Sequence, residues 1–260
     1  MRELTFGYSP CPNDTFAFHA LTHGLVSAPF RVTPVLLDIE ELNRRAHNSE
    51  FHLTKLSVGA FAAVGTRYRL LRSGAALGHG VGPLVVARAS MALADAVGGR
   101  VAIPGRETTA YRLLRLAAPA LGETVEMRYD HILRAVEQGD VSAGLIIHES
   151  RFTYADHGLV KVADLGDWWE RETGLPVPLA GISARADLDA GTMAAAERAI
   201  RASVQYAFDH PEASRAYVRA HAQEMSDAVC DEHIKLYVND LSLDVGDEGL
   251  RAIERLVAGV

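Results

Sequence analysis

Leu4-Thr5-Phe6-Gly7-Tyr8 leads directly into Ser9-Pro10-Cys11-Pro12-Asn13-Asp14-Thr15-Phe16. The first five residues form a short apolar stretch that reads as a strand. Pro10 and Pro12 each lack an N–H and bias the residue before them to extended geometry, so no helix runs through Pro12. Asn13, Asp14 and Thr15 are helix-capping types, and the apolar-periodic residues Phe16, Phe18, Ala20 and Leu21 follow. The run is therefore a stiff strand-to-helix turn with polar groups gathered at a helix N-terminus. In an α/β protein the carboxyl ends of strands are where ligands bind. The turn reads in two ways: a well-capped connection, or one wall of a small-molecule site.

The same unit repeats along the chain. Strand-like runs cover 4–8, 31–37, 53–56, 83–87, 100–103, 125–128 and 144–147. Helix-like runs cover 15–23, 39–47, 58–64, 110–118 and 132–138. Strands alternating with helices argue for parallel sheets covered by helices. After about residue 181 the texture becomes helical, over 190–210, 211–222, 227–241 and 247–257. The segment Arg88-Ala89-Ser90 and the Pro-punctuated stretch Leu175-Pro176-Val177-Pro178 break the pattern, and Ile182-Ser183-Ala184 then resumes as a strand. The breaks read as two crossings between α/β lobes, one of residues 1–87 with 180–260 and the other of 88–179. Such paired crossings with a helical C-terminal segment make a two-lobed, type II periplasmic-binding-protein-like fold.

Composition narrows the function. The formal net charge is −7, from 33 acidic and 26 basic residues. That argues against sequence-independent binding to nucleic acid or to an anionic membrane, which needs a basic surface. Cys11 and Cys230 lie far apart and fit no metal-ligand spacing. The start lacks the apolar core of a secretory signal, and no apolar run reaches the ~20 residues that span a bilayer. A cytoplasmic protein with reduced thiols is expected, acting on a small molecule, without metal or membrane. No HExxH, CxxC, GxSxG or EF-hand pattern occurs.

Candidate site residues sit where predicted strands end. Thr54-Lys55-Leu56-Ser57 closes one strand, and Ser57 either caps the next helix or presents N–H groups to an anion. Pro104-Gly105-Arg106-Glu107-Thr108-Thr109-Ala110 opens a helix, where hydroxyls and free N–H groups suit a carboxylate or ketone oxygen. Gly144-Leu145-Ile146-Ile147-His148 runs an apolar strand straight into a histidine. A neutral imidazole there can take a proton from carbon next to a ketone; the alternative is a histidine satisfied by backbone. His47, His157, His210 and His221 read as surface groups. The Gly-rich stretch 73–83 fits no phosphate-loop spacing and reads as a loop needing positive φ. Trp168-Trp169 reads as packing of the second lobe.

Taken together, the SPCPNDTF run, Thr54 to Ser57, Pro104 to Ala110 and the run Gly144-Leu145-Ile146-Ile147-His148-Glu149-Ser150-Arg151-Phe152-Thr153-Tyr154 resemble the 1,4-dihydroxy-6-naphthoate synthases of the futalosine route to menaquinone. Trp168-Trp169 and Tyr237-Val238-Asn239 are similar to that family's pattern too. One departure is the end at Val260, where the family is expected to continue. The resemblance implies the substrate cyclic dehypoxanthinyl futalosine, and 1,4-dihydroxy-6-naphthoate and a three-carbon dihydroxyketone as products. It implies a carbon–carbon lyase that uses no cofactor. His148 matches the family's base, while Lys55, Leu56, Ser57, Thr109 and Ala110 match its substrate contacts. Thr108, Asn13, Asp14 and Thr15 join them by their place at the cleft. A non-catalytic solute-binding protein and the sibling chorismate dehydratase are the rival expectations.

Overall fold

The computed structural model describes residues 2–223 and 226–259. The chain builds two mixed sheets. β1 (Arg2–Tyr8), β2 (Phe30–Leu36) and β3 (Leu53–Ser57) are parallel neighbours, with β1 in the middle. β4 (Tyr68–Leu70) and β5 (Ala76–Gly78) are short. The chain then crosses to the second sheet, made of β6 (Leu84–Ala87), β7 (Val101–Ile103), β8 (Thr124–Glu126), β9 (Ala143–Ile146) and β10 (Val160–Asp164), in the order β10-β6-β9-β7-β8. β11 (Val177–Arg185) returns to the first sheet and lies antiparallel between β3 and β4, giving the order β2-β1-β3-β11-β4, with β5 also on β11.

Two boundaries differ from the sequence reading. The run 83–87 was expected in the first lobe, yet β6 pairs with β9 and β10 in the second sheet. The return crossing also comes earlier, because β11 already begins at Val177. The sheets are mixed, not parallel throughout, since both crossings deliver their strand antiparallel to its neighbours. Proline hid the start of β11: Pro178 cannot donate to a ladder, and the register against β5 shifts between Pro178 and Ala180. Pro34 is tolerated because β2 is an edge strand. The helix expected over 227–241 divides into Asp227–Tyr237 and Asp240–Leu243, with Asn239 capping the second piece.

The apolar cores are not confined to separate lobes. One cluster runs from Val58, Leu77 and Val81 of the first lobe to Ile103, Leu113 and Trp169 of the second, and on to Ile253 and Leu256 of the C-terminal helix Gly246–Ala258. Trp169 is fully buried, with its indole N–H on Pro176 O at 3.0 Å, so it is a packing residue. A second cluster packs the helices Pro12–Thr22 and Ala190–Asp209 on β1. Among the described residues no helix is long and apolar enough to cross a membrane.

Polar contacts also join the lobes. Thr109 Oγ1 donates to Leu179 O at 2.6 Å and accepts from Gly59 N–H at 3.0 Å. The buried Glu40 carboxylate, on the helix Ile39–Ala46, accepts from Glu107 N–H, and His47 Nε2 lies 2.7 Å from Glu107 Oε1. His47 is therefore a half-buried interlobe residue, not the surface group expected. Arg112 binds Leu256 O at 2.7 Å and Val257 O at 2.6 Å, which caps the last turn of the C-terminal helix from the second lobe.

Candidate active site

The strand ends converge as their positions in the sequence suggested. A cavity with about 560 Å³ of atom-free space opens between the sheets. Its wall includes Asn13, Lys55, Ser57, Thr108, Thr109, Ala110 and His148. Leu56, Asp14 and Thr15 were expected there and do not line it. Successive strand residues face opposite ways, so Leu56 points from Lys55 and Ser57 into a cluster with Ala46, Val64 and Tyr68. Thr15 turns its hydroxyl back to Cys11 O at 3.0 Å. Asp14 lies one step behind the wall. Its Oδ2 accepts from Ser9 N–H at 3.1 Å and Ser9 Oγ–H at 2.7 Å, and its Oδ1 accepts from Lys55 Nζ at 2.5 Å.

Lys55 is buried, at 4 % exposed, and its charge is balanced by Asp14. Ser57 does not cap the turn after it. Asn43 holds it instead, accepting from Ser57 N–H at 2.9 Å and donating to Ser57 Oγ at 3.0 Å. The Ser57 hydroxyl hydrogen is thereby left as a donor for a ligand. Thr108 is the N-cap of the helix Thr109–Ala117, accepting from Tyr111 N–H and donating to Gly105 O. The N–H groups of Thr109 and Ala110 lie in the first turn, where no helix carbonyl can reach them. They are positive-end donors for an anionic or ketone oxygen. The Thr109 hydroxyl itself is spent on the interlobe bonds, so this position offers backbone rather than side chain.

His148 follows β9 in the left-handed backbone region, at φ +56°. That geometry is uncommon for a residue with a β-carbon, and it ends the strand abruptly. Its Nε2 is buried and has no hydrogen-bond partner among the described residues. Burial, then the nearby Lys55 charge, pulls its pKa down to about 3, so the ring is neutral with one bare lone pair at ordinary pH. Tyr129 packs edge-on against it, with ring centres 4.8 Å apart. Cys11 Sγ, Glu149 and His148 place one ligand-type atom each within 4.8 Å of one another, a grouping that chain spacing did not reveal. Burial and the Glu149 charge push the Cys11 thiol up, so it is a protonated packing group rather than a nucleophile.

The wall also holds residues that sequence reasoning did not assign to it. Ile39, Ala76, Gly82, Pro83, Ile147, Leu179 and Ala180 supply apolar and backbone surface. Gly82 belongs to the Gly-rich loop and has φ +148°; a β-carbon there would meet the Gly166 backbone at 2.7 Å. His233 and Tyr237 enter from the helix Asp227–Tyr237. Their spacing of four places both on one helix face, the signal that was available.

The profile of the family described as menaquinone biosynthesis matches residues 4–259. The chain is 58% identical over 258 residues to 1,4-dihydroxy-6-naphthoate synthase of Thermus thermophilus, covering 99% of this chain and 94% of that one. It is 47% identical over 259 residues to the enzyme of the same name from Streptomyces coelicolor, covering 98% and 91%. Among solved structures, a protein of Archaeoglobus fulgidus superposes with TM-score 0.93 at 38% identity, covering 98% of this chain and 96% of that one. The ligand-binding component of an ABC-type import system from Staphylococcus aureus gives TM-score 0.72 at 14% identity, over 99% and 91%. That likeness concerns fold alone and places the two lobes among periplasmic-binding-protein folds. On the profile match and the two synthases together, the chain belongs to the menaquinone-biosynthesis family and is an enzyme of that route.

Proposed function

We propose that the protein is a carbon–carbon lyase that converts cyclic dehypoxanthinyl futalosine to 1,4-dihydroxy-6-naphthoate and a three-carbon dihydroxyketone. The observation that carries this reading is His148: a neutral imidazole in the cavity wall, with an unpartnered Nε2. In this reading the imidazole lone pair of His148 removes the proton next to the substrate ketone, which starts ring opening and aromatisation. The N–H groups of Thr109 and Ala110 and the Ser57 hydroxyl hold the substrate's oxygens. A negative charge on a substrate beside Lys55 would raise the basicity of His148.

The test is direct. Purified protein is incubated with cyclic dehypoxanthinyl futalosine, and 1,4-dihydroxy-6-naphthoate is followed by chromatography. Naphthoate formation is expected. Tight binding without product supports a solute-binding protein instead, and turnover of chorismate supports the dehydratase. The cytoplasm is the compartment proposed for this reaction.

A further inference from the structure

His233 has no part in the chemistry above, although it lies in the cavity wall at 1 % exposed. A chain of hydrogen bonds decides which of its nitrogens carries hydrogen. The Asp14 Oδ1 that accepts from Lys55 also faces the Asn13 amide, at 2.9 Å. A carboxylate only accepts, so the Asn13 atom facing it must be Nδ2. That orientation leaves Asn13 Oδ1, itself only an acceptor, 3.0 Å from His233 Nε2. Nε2 must therefore be the protonated nitrogen. Burial, reinforced by His148 and Lys55, holds the imidazole well below its usual basicity, so it is neutral and carries one hydrogen only. Nδ1 is then a bare lone pair. It is buried and has no partner among the described residues. The ring lies near-parallel to His148, with centres 6.3 Å apart, and tilts on Tyr237 at 4.6 Å.

We propose that His233 is a substrate-positioning residue whose Nδ1 accepts a hydrogen bond from a hydroxyl group of the bound substrate. Only a donor suits that lone pair; a ketone or carboxylate oxygen facing it would be repelled. The donors of the cavity are the Lys55 ammonium, the Ser57 hydroxyl and the first turn of the helix Thr109–Ala117. The bare nitrogen of His233 accepts where these groups donate, so a ligand carrying both hydroxyl and carbonyl oxygens is oriented between them. The inference rests on the substrate reading above, in which the fragment released is a dihydroxyketone and brings hydroxyls into the cleft. His233 then orients the leaving fragment while His148 acts at the carbon next to the ketone.

The experiment uses the full chain with 15N-labelled histidine, the His233 signals being assigned by their loss in His233→Gln. In the free protein His233 is expected as the neutral Nε2–H tautomer; an Nδ1–H tautomer overturns the proposal. Cyclic dehypoxanthinyl futalosine is then added to the His148→Asn variant, which is expected to bind it without turnover. An upfield move of the His233 Nδ1 resonance is expected, and an unmoved resonance at saturation overturns the proposal. Kinetics give an independent check. His233→Gln keeps a donor toward Asn13 and removes the Nδ1 acceptor, so kcat/KM is expected to fall about tenfold to a hundredfold. His233→Asn places an acceptor near the Nδ1 position and is expected to recover part of that loss. A His233→Gln enzyme within about twofold of wild type overturns the proposal. If the wild type neither binds nor turns over this compound, the substrate reading itself has failed, and this proposal falls with it.

Discussion

His148 holds an angle that costs an ordinary L-residue roughly 1–2 kcal/mol, and it holds it inside the cavity. Asn tolerates the same left-handed geometry, so His148→Asn removes the base without straining the bend. Turnover is expected to fall by about 10²- to 10⁴-fold with substrate affinity largely kept, as measured by steady-state kinetics alongside calorimetry. Wild-type rates in that variant remove His148 from the mechanism. The Lys55–Asp14 pair behaves differently. Asp14→Asn leaves a buried ammonium without its partner and is expected to cost about 3–5 kcal/mol of stability by urea unfolding. Adding Lys55→Met should restore much of it. At this scale the sequence located polar residues at strand ends, and Ser57 and His148 both reach the cavity wall. It was a poor guide to sidedness. Asp14 and Thr15 share a capping run with Asn13, yet only Asn13 meets the cavity, because tertiary hydrogen bonds decide which way each points.

Among the elements, the alternation of strands and helices was legible because apolar periodicity is local. The partners of β6 and β11 were not, because pairing across a crossing leaves no local trace, and Pro178 masks the start of a real strand. Close approach between elements was equally hidden. Gly59, in the turn after β3, would bring a β-carbon within 2.9 Å of Thr108 O and 3.0 Å of Thr109 N, both backbone atoms that cannot swing aside. Gly59→Ala is therefore expected to push the turn from the N-terminus of the helix Thr109–Ala117. Overpacking of this kind costs typically 1–3 kcal/mol. Substrate KM should rise as the N–H donors retreat. Thermal melting and kinetics on the one variant check both effects, and an unchanged KM would separate Gly59 from the site. Thr109→Val removes the bonds to Gly59 and Leu179 together; Thr109→Ser keeps them, and only the first should loosen the cleft.

For the whole molecule, the two buried histidines tie stability to acidity. His148 and His233 stay neutral in the fold at pH values where an unfolded histidine, near 6.5, is taking up a proton. The unfolded chain then binds more protons, so stability is complete above about pH 6.5. It is lost as pH falls from there toward about 3, the value for His148. Urea midpoints compared between neutral and mildly acidic buffer should show this decline, and a His148→Asn, His233→Asn double variant should flatten it. The interlobe bonds of Glu40, Glu107 and Arg112, with the shared apolar cluster, tie the two lobes together in the finished fold.

The position of β11 reaches further, into how the chain is made. On the ribosome every strand of the second sheet emerges before Val177, while the first sheet still lacks the strand that lies between β3 and β4. The lobe begun first is therefore finished last, and β3 waits with an unpaired edge, a template for wrong pairing until β11 arrives. Nascent chains ending at residue 176 and followed by a linker that clears the ribosomal tunnel should protect the middle third from protease and leave the amino-terminal third open to it.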